Sequence, residues 1–232
     1  EAADRLREAG QGELSVKSLH ELRIACRRAE AALRLCQNAA ESRAWRWLKR
    51  QLQMVRCVCN QARDDDVLLK WVHRRGTSSN KSLRRAIRAH REEVQPQIVK
   101  LARRLSENRR FERRSKSVVQ RLQACERTGQ IAQVFGTRLF DEVHRFVKSL
   151  PARRHDDSAL HRLRIVGKRL RYASELVTEI WPDFELTELN EHLHSLQDQL
   201  GAIHDQVVGE CRLRKQFSKG SRHSAQMLAQ KA

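Results

Sequence analysis

The sequence predicts an all-α fold: two similar helical bundles with a basic cavity or groove between them. Three observations predict it. The 232 residues include only 3 Pro and 9 Gly and few aromatic residues, while Ala, Leu, Arg, Glu and Gln dominate, a composition that favours helix nearly throughout. Apolar residues recur at three- and four-residue steps, the period of one helix face. A stretch of the first half also returns in the second at a fixed offset, which makes two copies of one helical unit the expected architecture.

Helices are expected at roughly 18–37, 44–74, 80–108, 111–126, 130–149, 158–180, 185–216 and 221–230. The breaks carry turn residues: Gly76 to Asn80, Gly129, Pro151 to Asp157, Pro182 and Gly220. Glu1 to Gly10 is polar and helix-like and does not read as a signal peptide. Ser18 with Glu21 fits a capping box that would start the first repeated helix near His20.

The repeat has an offset of 141 residues, the distance from His20 to His161. Leu19-His20-Glu21-Leu22-Arg23-Ile24 returns as Leu160-His161-Arg162-Leu163-Arg164-Ile165. The same offset carries Arg27-Arg28 onto Lys168-Arg169, Leu35 onto Leu176, Leu48 onto Leu189 and Leu52 onto Leu193. Arg63-Asp64 falls on His204-Asp205 and Val67 on Val208. The halves divide at 1–127 and 128–232 within one domain. At the ends the repeat is incomplete, because residues 1–9 align with the end of 130–149 and 221–232 only with the start of 80–108.

At about 100° per residue, His20, Arg23, Arg27 and Arg34 share a sector of roughly 60°. Leu19, Leu22, Cys26, Ala29, Leu33 and Cys36 take the opposite side and predict the core stripe. Glu30 lies beside the basic ladder, placed to orient Arg23, Arg27 or Arg34. The second copy sets His161, Arg164, Lys168 and Arg171 in a ladder with Tyr172, and Leu163, Gly167, Leu170 and Val177 face the core. Like charges one turn apart destabilise a helix by a few tenths of a kcal/mol. Building such a ladder twice, in register, points to a ligand. Lys49, Arg56 and Arg63 recur every seven residues on the next helix, with Gln53 and Asn60 between them. Asp64 and Asp205 read as partners that hold a neighbouring Arg or His. Lys81, Arg84, Arg85, Arg88, His90 and Arg91 would widen the positive surface.

Lys plus Arg number 47 against 28 Asp plus Glu, a net charge of +19. A compact protein so charged attracts anions, less strongly as salt rises. Arg presents a planar fork to phosphoryl oxygens, Lys a point charge, and His a donor once protonated. Distributed ladders suit a long repetitive anion, and no Gly-rich phosphate loop is present. No apolar run approaches the roughly 18 residues needed to span a bilayer, so no membrane association is expected. The six Cys (26, 36, 57, 59, 125 and 211) contain no CxxC pair and read as buried, reduced thiols of a cytoplasmic protein. No metal, cofactor or catalysis is expected. His192 and His194 are two apart on a helix, no HExxH is present, and three consecutive residues, Asp64 to Asp66, cannot converge on one ion. A metal-dependent phosphohydrolase is accordingly a weak alternative. Weak nucleic-acid binding is a stronger one on charge alone. Against it, only Tyr172, Trp45, Trp47, Trp71 and Trp181 offer stacking surfaces, and the Trp residues read as core or helix-end positions.

The motif Leu-His-x-Leu-Arg-Ile-x-x-(Arg/Lys)-Arg resembles the CHAD family, the conserved histidine α-helical domain. The run from His161 to Tyr172 is especially similar to it. Arg63-Asp64-Asp65-Asp66-Val67 and Leu200-Gly201-Ala202-Ile203-His204-Asp205 resemble its second recurring element, so the resemblance covers about residues 12–216. It implies two helical bundles around a basic cavity, binding of inorganic polyphosphate and, in many members, association with polyphosphate granules. It further implies that His20, Arg23, Arg27, Arg28, Arg63, His161, Arg164, Lys168, Arg169 and Arg171 line the anion site. The ladders and the second helices add Arg34, Lys49, Arg56, Tyr172 and His204 to that set. Glu30 stands where the second copy has Arg171, and Cys59-Asn60 where it has Leu200-Gly201, so weaker binding by the first half and different packing there are expected. The ExExK strand motif of the triphosphatases often fused to this family is absent, and that activity is not carried over.

Overall fold

The computed structural model describes residues 1–12, 14–74, 81–127, 129–151 and 156–217, and their side chains apart from those of 74 and 204–217. The expected helix at 221–230 lies outside the described residues, as do the side chains of His204, Asp205 and Cys211.

All regular structure among the described residues is helical: α1 Ala2–Gly10, α2 Val16–Leu35, α3 Gln37–Ala40, α4 Arg43–Arg74, α5 Lys81–Ser106, α6 Arg110–Glu126, α7 Ile131–Lys148, α8 Asp157–Ile180 and α9 Thr187–Phe217. The fold is therefore all-α, as the composition and periodicity require. Two boundaries differ from expectation. Helix α2 starts a few residues earlier, because Ser15 rather than Ser18 is the cap: Ser15 Oγ accepts from the Ser18 backbone N–H at 3.0 Å. Glu21 is not part of a capping box and instead meets Arg5 at 3.1 Å. The expected 18–37 helix is interrupted at Cys36, and α3 follows as a separate turn. Between α5 and α6, Glu107–Arg109 forms a 3-10 turn in which Asn108 and Arg109 take the left-handed region, φ 50° and 51°. Asn tolerates that region better than most residues and Arg does not.

Helix α2 is the centre of the packing, touching α1, α4, α7 and α8. Leu19, Leu22, Cys26, Leu33 and Cys36 are buried as the stripe predicts, and Ala29 packs at the stripe's edge. They meet Leu48, Leu52, Val55 and Cys59 of α4, Phe111 and Val118 of α6, Phe135 of α7, and Ala173 and Val177 of α8 in one continuous core. Burying a Leu-sized side chain stabilises by about 1.5–3 kcal/mol, so this seam sets where the polar faces must go. Leu163, Gly167, Leu170 and Val177 of α8 face inward as expected. The repeated helices α2 and α8 pack on one another, α4 pairs with α2 and α9 with α8. Helix α1 approaches α5 closely enough that a Cβ on Gly10 would lie 3.1 Å from the Arg103 backbone.

Candidate anion-binding site

With the apolar stripes of α2 and α8 turned into the core, their basic faces meet at a cavity of about 130 Å³ that Arg56 of α4 also lines. Arg27, Glu30 and Arg34 line it from α2, Arg56 from α4, and Arg164, Ile165, Lys168, Arg169 and Tyr172 from α8. Six of the lining side chains are cationic and one, Glu30, is acidic. Glu30 accepts from Arg56 Nε at 3.2 Å and stands 4.0 Å from Arg34, so it orients a residue of the next helix as well as one of its own.

The electrostatics follow from burial. The Lys168 ammonium is driven from its ordinary 10.5 to about 7 by desolvation, with Arg164, Arg27, Arg171 and Arg23 adding repulsion. Burial likewise lowers the Arg23 guanidinium to about 10, with Arg27 adding to the effect, and Arg23 donates to Asn60 Oδ1 at 2.6 Å. Arg34 is lowered by burial, against the opposing fields of Glu142 and Glu30. His20 is lowered by burial and then by Arg63, Arg23, Lys70 and Arg27, so a second basic cluster adjoins the cavity along α2 and α4. Asp64 acts on Arg23 in the opposite sense, as a neighbouring carboxylate must.

Several residues expected together are apart. Arg28 turns away to Glu179, donating at 2.6 Å, with Glu1 at 3.6 Å; a single step of 100° from Arg27 is enough to put it on another face. Lys49 sits over the Trp45 ring, Nζ 4.8 Å from the centroid, instead of joining Arg56. Arg171 flanks the cavity, held by Glu175 at 2.9 Å and by His194 at 3.0 Å, with its guanidinium 4.5 Å over the Tyr172 ring. His161 is exposed and does not line the cavity. On α5, His90 bonds Asp65 at 2.7 Å, and buried Arg91 donates to Asp66, Gln95 and the Leu14 carbonyl, so neither extends the positive surface as expected. Lys81, Arg85 and Arg88 are exposed there. Cys57 is exposed, which corrects the expectation of uniformly buried thiols, whereas Cys26, Cys36 and Cys59 are buried. Trp45 is buried and Trp181 packs edge-on against Phe135 at 5.5 Å, which leaves neither as an open stacking platform.

Sequence reasoning missed Lys70, although it continues the seven-residue row of Lys49, Arg56 and Arg63. It also missed Arg138, Glu142 and Arg145 of α7, which line a smaller chamber against Arg34. A wider open groove, about 1300 Å³, lies between Gly12, Leu14 and Ser15 on one side and α5 on the other. Its walls mix Lys100, Arg103 and Arg104 with Glu92 and Glu107, so it lacks the charge imbalance of the α2–α8 site. Among the described residues no group of three His, Cys, Asp or Glu side chains is placed to hold a metal ion, and no helix is long and apolar enough to cross a membrane.

Comparison with known proteins agrees with the architecture. The family model of the CHAD domain matches residues 1–214. A crystal structure of the CHAD domain from the plant Ricinus communis superimposes with a TM-score of 0.65, covering 98% of this chain and 80% of that chain at 20% identity, a likeness of fold. No curated protein matches the chain.

Proposed function

The chain belongs to the CHAD-domain family, and we propose that it binds inorganic polyphosphate without catalysis, in the cavity between α2, α4 and α8. The observation that carries this reading is the charge imbalance of that cavity: six cationic side chains around one carboxylate, among them a Lys168 whose burial drives its ammonium to about 7. A fold holds such a cluster at a loss unless a polyanion offsets the repulsion. Arg27, Arg34, Arg56, Arg164, Lys168 and Arg169 make the primary contacts. Arg23, His20, Arg63 and Lys70 extend the path along α2 and α4, and Arg171 is positioned at its edge by Glu175 and His194. The working compartment is the cytoplasm, with polyphosphate granules as the place where the ligand is concentrated.

The test is a competition titration. Labelled long-chain polyphosphate is bound at about 0.15 M salt, where exposed charges are screened beyond roughly 8 Å, and is challenged with duplex DNA, single-stranded RNA and heparin of matched charge. Displacement at low concentration by unlabelled polyphosphate alone supports a shaped site. Equal displacement by every polyanion refutes it and favours nonspecific nucleic-acid binding. Charge reversal at Arg23 together with Arg164 is expected to abolish binding with helicity retained; normal binding by that double variant would place the site elsewhere.

A further inference from the structure

Helix α7 carries an apolar sector that is open to solvent. Phe140 is 69% exposed, Val147 55% and, directly after the helix, Leu150 54%. At about 100° per residue they fall with half-buried Val143 within roughly 80° of one another. The buried residues of α7, Phe135 and Glu142, belong to another sector. The His144 ring stacks on that of Phe140 with 6.4 Å between centroids. Single exposed apolar side chains are ordinary on a protein surface, whereas a row of them on one helix face marks an interaction surface.

The repeat shows what belongs on such a face. The 141-residue offset carries Leu6 onto Val147, Ala9 onto Leu150, and α1 onto the last turns of α7. The correspondence holds in space, because α1 packs on α2 as α7 packs on α8. In the first half Leu6 and Ala9 are fully buried where α1 packs on α5, and Gly10 comes close to the backbone of Ala102 and Arg103. Their α7 equivalents, Val147 and Leu150, are more than half exposed. The face is thus shaped to receive a helix packed as α5 packs on α1. The same offset lays residues 221–232 on 80–91, so their register does not match the crossing at Ala102 and Arg103.

Charge selects the occupant. His144 and Lys148, both exposed, border the apolar sector on its solvent side, and the chain as a whole carries +19. A second copy would bring that charge against itself. The sequence from 218 to 232 holds Lys219, Arg222 and Lys231 and no Asp or Glu, so it too is repelled by this border. An acidic helix is attracted by the same field. We propose that the Phe140–Val147–Leu150 face of α7 docks an acidic amphipathic helix of a partner protein, which lays its apolar stripe along the sector and turns its carboxylates toward Lys148. None of the three apolar residues lines the cavity between α2 and α8, so the proposal does not rest on the polyphosphate reading.

The probe is a fluorescein-labelled peptide with the Val94, Ile98, Ala102 and Leu105 spacing of the α5 stripe and Glu and Ala at its other positions. A second peptide has Lys in place of Glu. Each is titrated into the full chain and followed by anisotropy. The acidic peptide is expected to bind with a Kd on the order of 10 µM at low salt, and the Lys peptide about tenfold more weakly or worse. Phe140→Ser and Val147→Ser are neutral changes at exposed sites, checked for unchanged helicity and melting. Each is expected to weaken the acidic peptide about fivefold to tenfold. Acidic-peptide binding that both variants retain in full overturns the proposal, because the peptide then sits on another basic surface. No binding by the wild type, or equal binding of the two peptides, overturns it as well. Sedimentation of the wild type is expected to show a monomer; a dimer that either variant dissociates would assign the face to a second copy instead.

Discussion

Lys168 offers the sharpest test of the main cavity. In the ligand-free protein its ammonium loses its proton at about 7 instead of 10.5, mainly through burial and then through Arg164, Arg27, Arg171 and Arg23. At pH 8 the free protein therefore holds roughly a tenth of a proton at this site. A polyanion in the cavity restores the charged form, so binding at pH 8 takes up about 0.9 proton. The sign follows directly: the bound state holds more protons than the free state, and affinity falls as pH rises through about 7, approaching tenfold per pH unit. Calorimetric titration with long-chain polyphosphate in several buffers of different ionisation enthalpy measures the uptake as a slope. Lys168→Arg stays charged across this range and is expected to bind with uptake near zero. His20, whose own ionisation is lowered mainly by burial, contributes mostly below pH 7 and serves as an internal contrast. An uptake at pH 8 identical in the wild type and Lys168→Arg, or an affinity flat from pH 7 to 9, would refute the placement of the ligand against Lys168.

The same burial has a consequence for folding. Between about 7 and 10.5 the unfolded chain binds more protons at Lys168 than the folded chain, so this residue makes stability rise with pH across that window. Lys168→Met is expected to stabilise the free protein at pH 6 by on the order of 2 kcal/mol, read by thermal melting, while weakening polyphosphate binding. Arg91 is structural by contrast, with its side chain 10% exposed against an Asp66 side chain 3% exposed. Arg91→Ala leaves Asp66 buried and unpaired and is expected to cost about 3–5 kcal/mol in urea unfolding, with the affinity of the folded fraction unchanged. Gly10→Ala places a Cβ 3.1 Å from the Arg103 backbone, which cannot swing aside as a side chain does. Strain of about 1–3 kcal/mol there exceeds the helix-propensity gain of up to about 1, so urea unfolding should show a net loss, and a gain would mean that α1 docks less tightly on α5. Burial pushes the Cys26 thiol well up and sets those of Cys36 and Cys59 at about 11, whereas Cys57 is exposed. Thiol-reagent kinetics at pH 8 should show Cys57 reacting at once and the three buried thiols reacting only as the chain unfolds.

How much of this was legible in the sequence depends on which distances a periodicity fixes. Helical spacing reports which residues share a face of one helix: the Leu19–Leu22–Cys26–Leu33 stripe is buried, and Arg27, Arg34, Arg164 and Lys168 reach a common cavity, while His20, Arg23, His161 and Arg171 of the same two ladders do not line it. Spacing does not report what another helix brings to that face. Arg28 had Glu179 waiting for it across 151 residues, Arg91 had Asp66 and the Leu14 carbonyl, and Lys49 had Trp45 on its own helix. The small chamber was invisible for the same reason, since nothing in α7 alone says that Arg138, Glu142 and Arg145 will face Arg34. Lys70 is a different kind of miss, because the seven-residue row that gave Lys49, Arg56 and Arg63 continues to it.

The departure of the two repeats at Glu30 and Arg171 also has a physical reading that only the pairing reveals. Under the 141-residue offset Glu30 falls on Arg171 and Arg34 on Glu175, so each repeated helix carries an i, i+4 ion pair with the order of charge reversed. Glu30 stands 4.0 Å from Arg34, and Arg171 donates to Glu175 at 2.9 Å. Because Glu30 is in the cavity wall and Glu175 is not, the carboxylate tempers the α2 side, where it also holds Arg56, and leaves the α8 side positive. The most strongly shifted lysine, Lys168, lies on that α8 side. The α2 side thus contributes oriented guanidiniums, and the α8 side contributes the stronger positive field. On that division of labour Glu30→Gln should tighten polyphosphate binding by removing the one repulsive group in the wall, about twofold to tenfold at low salt and less as salt rises. A weakened Glu30→Gln variant would show instead that holding Arg34 and Arg56 in place matters more than the charge.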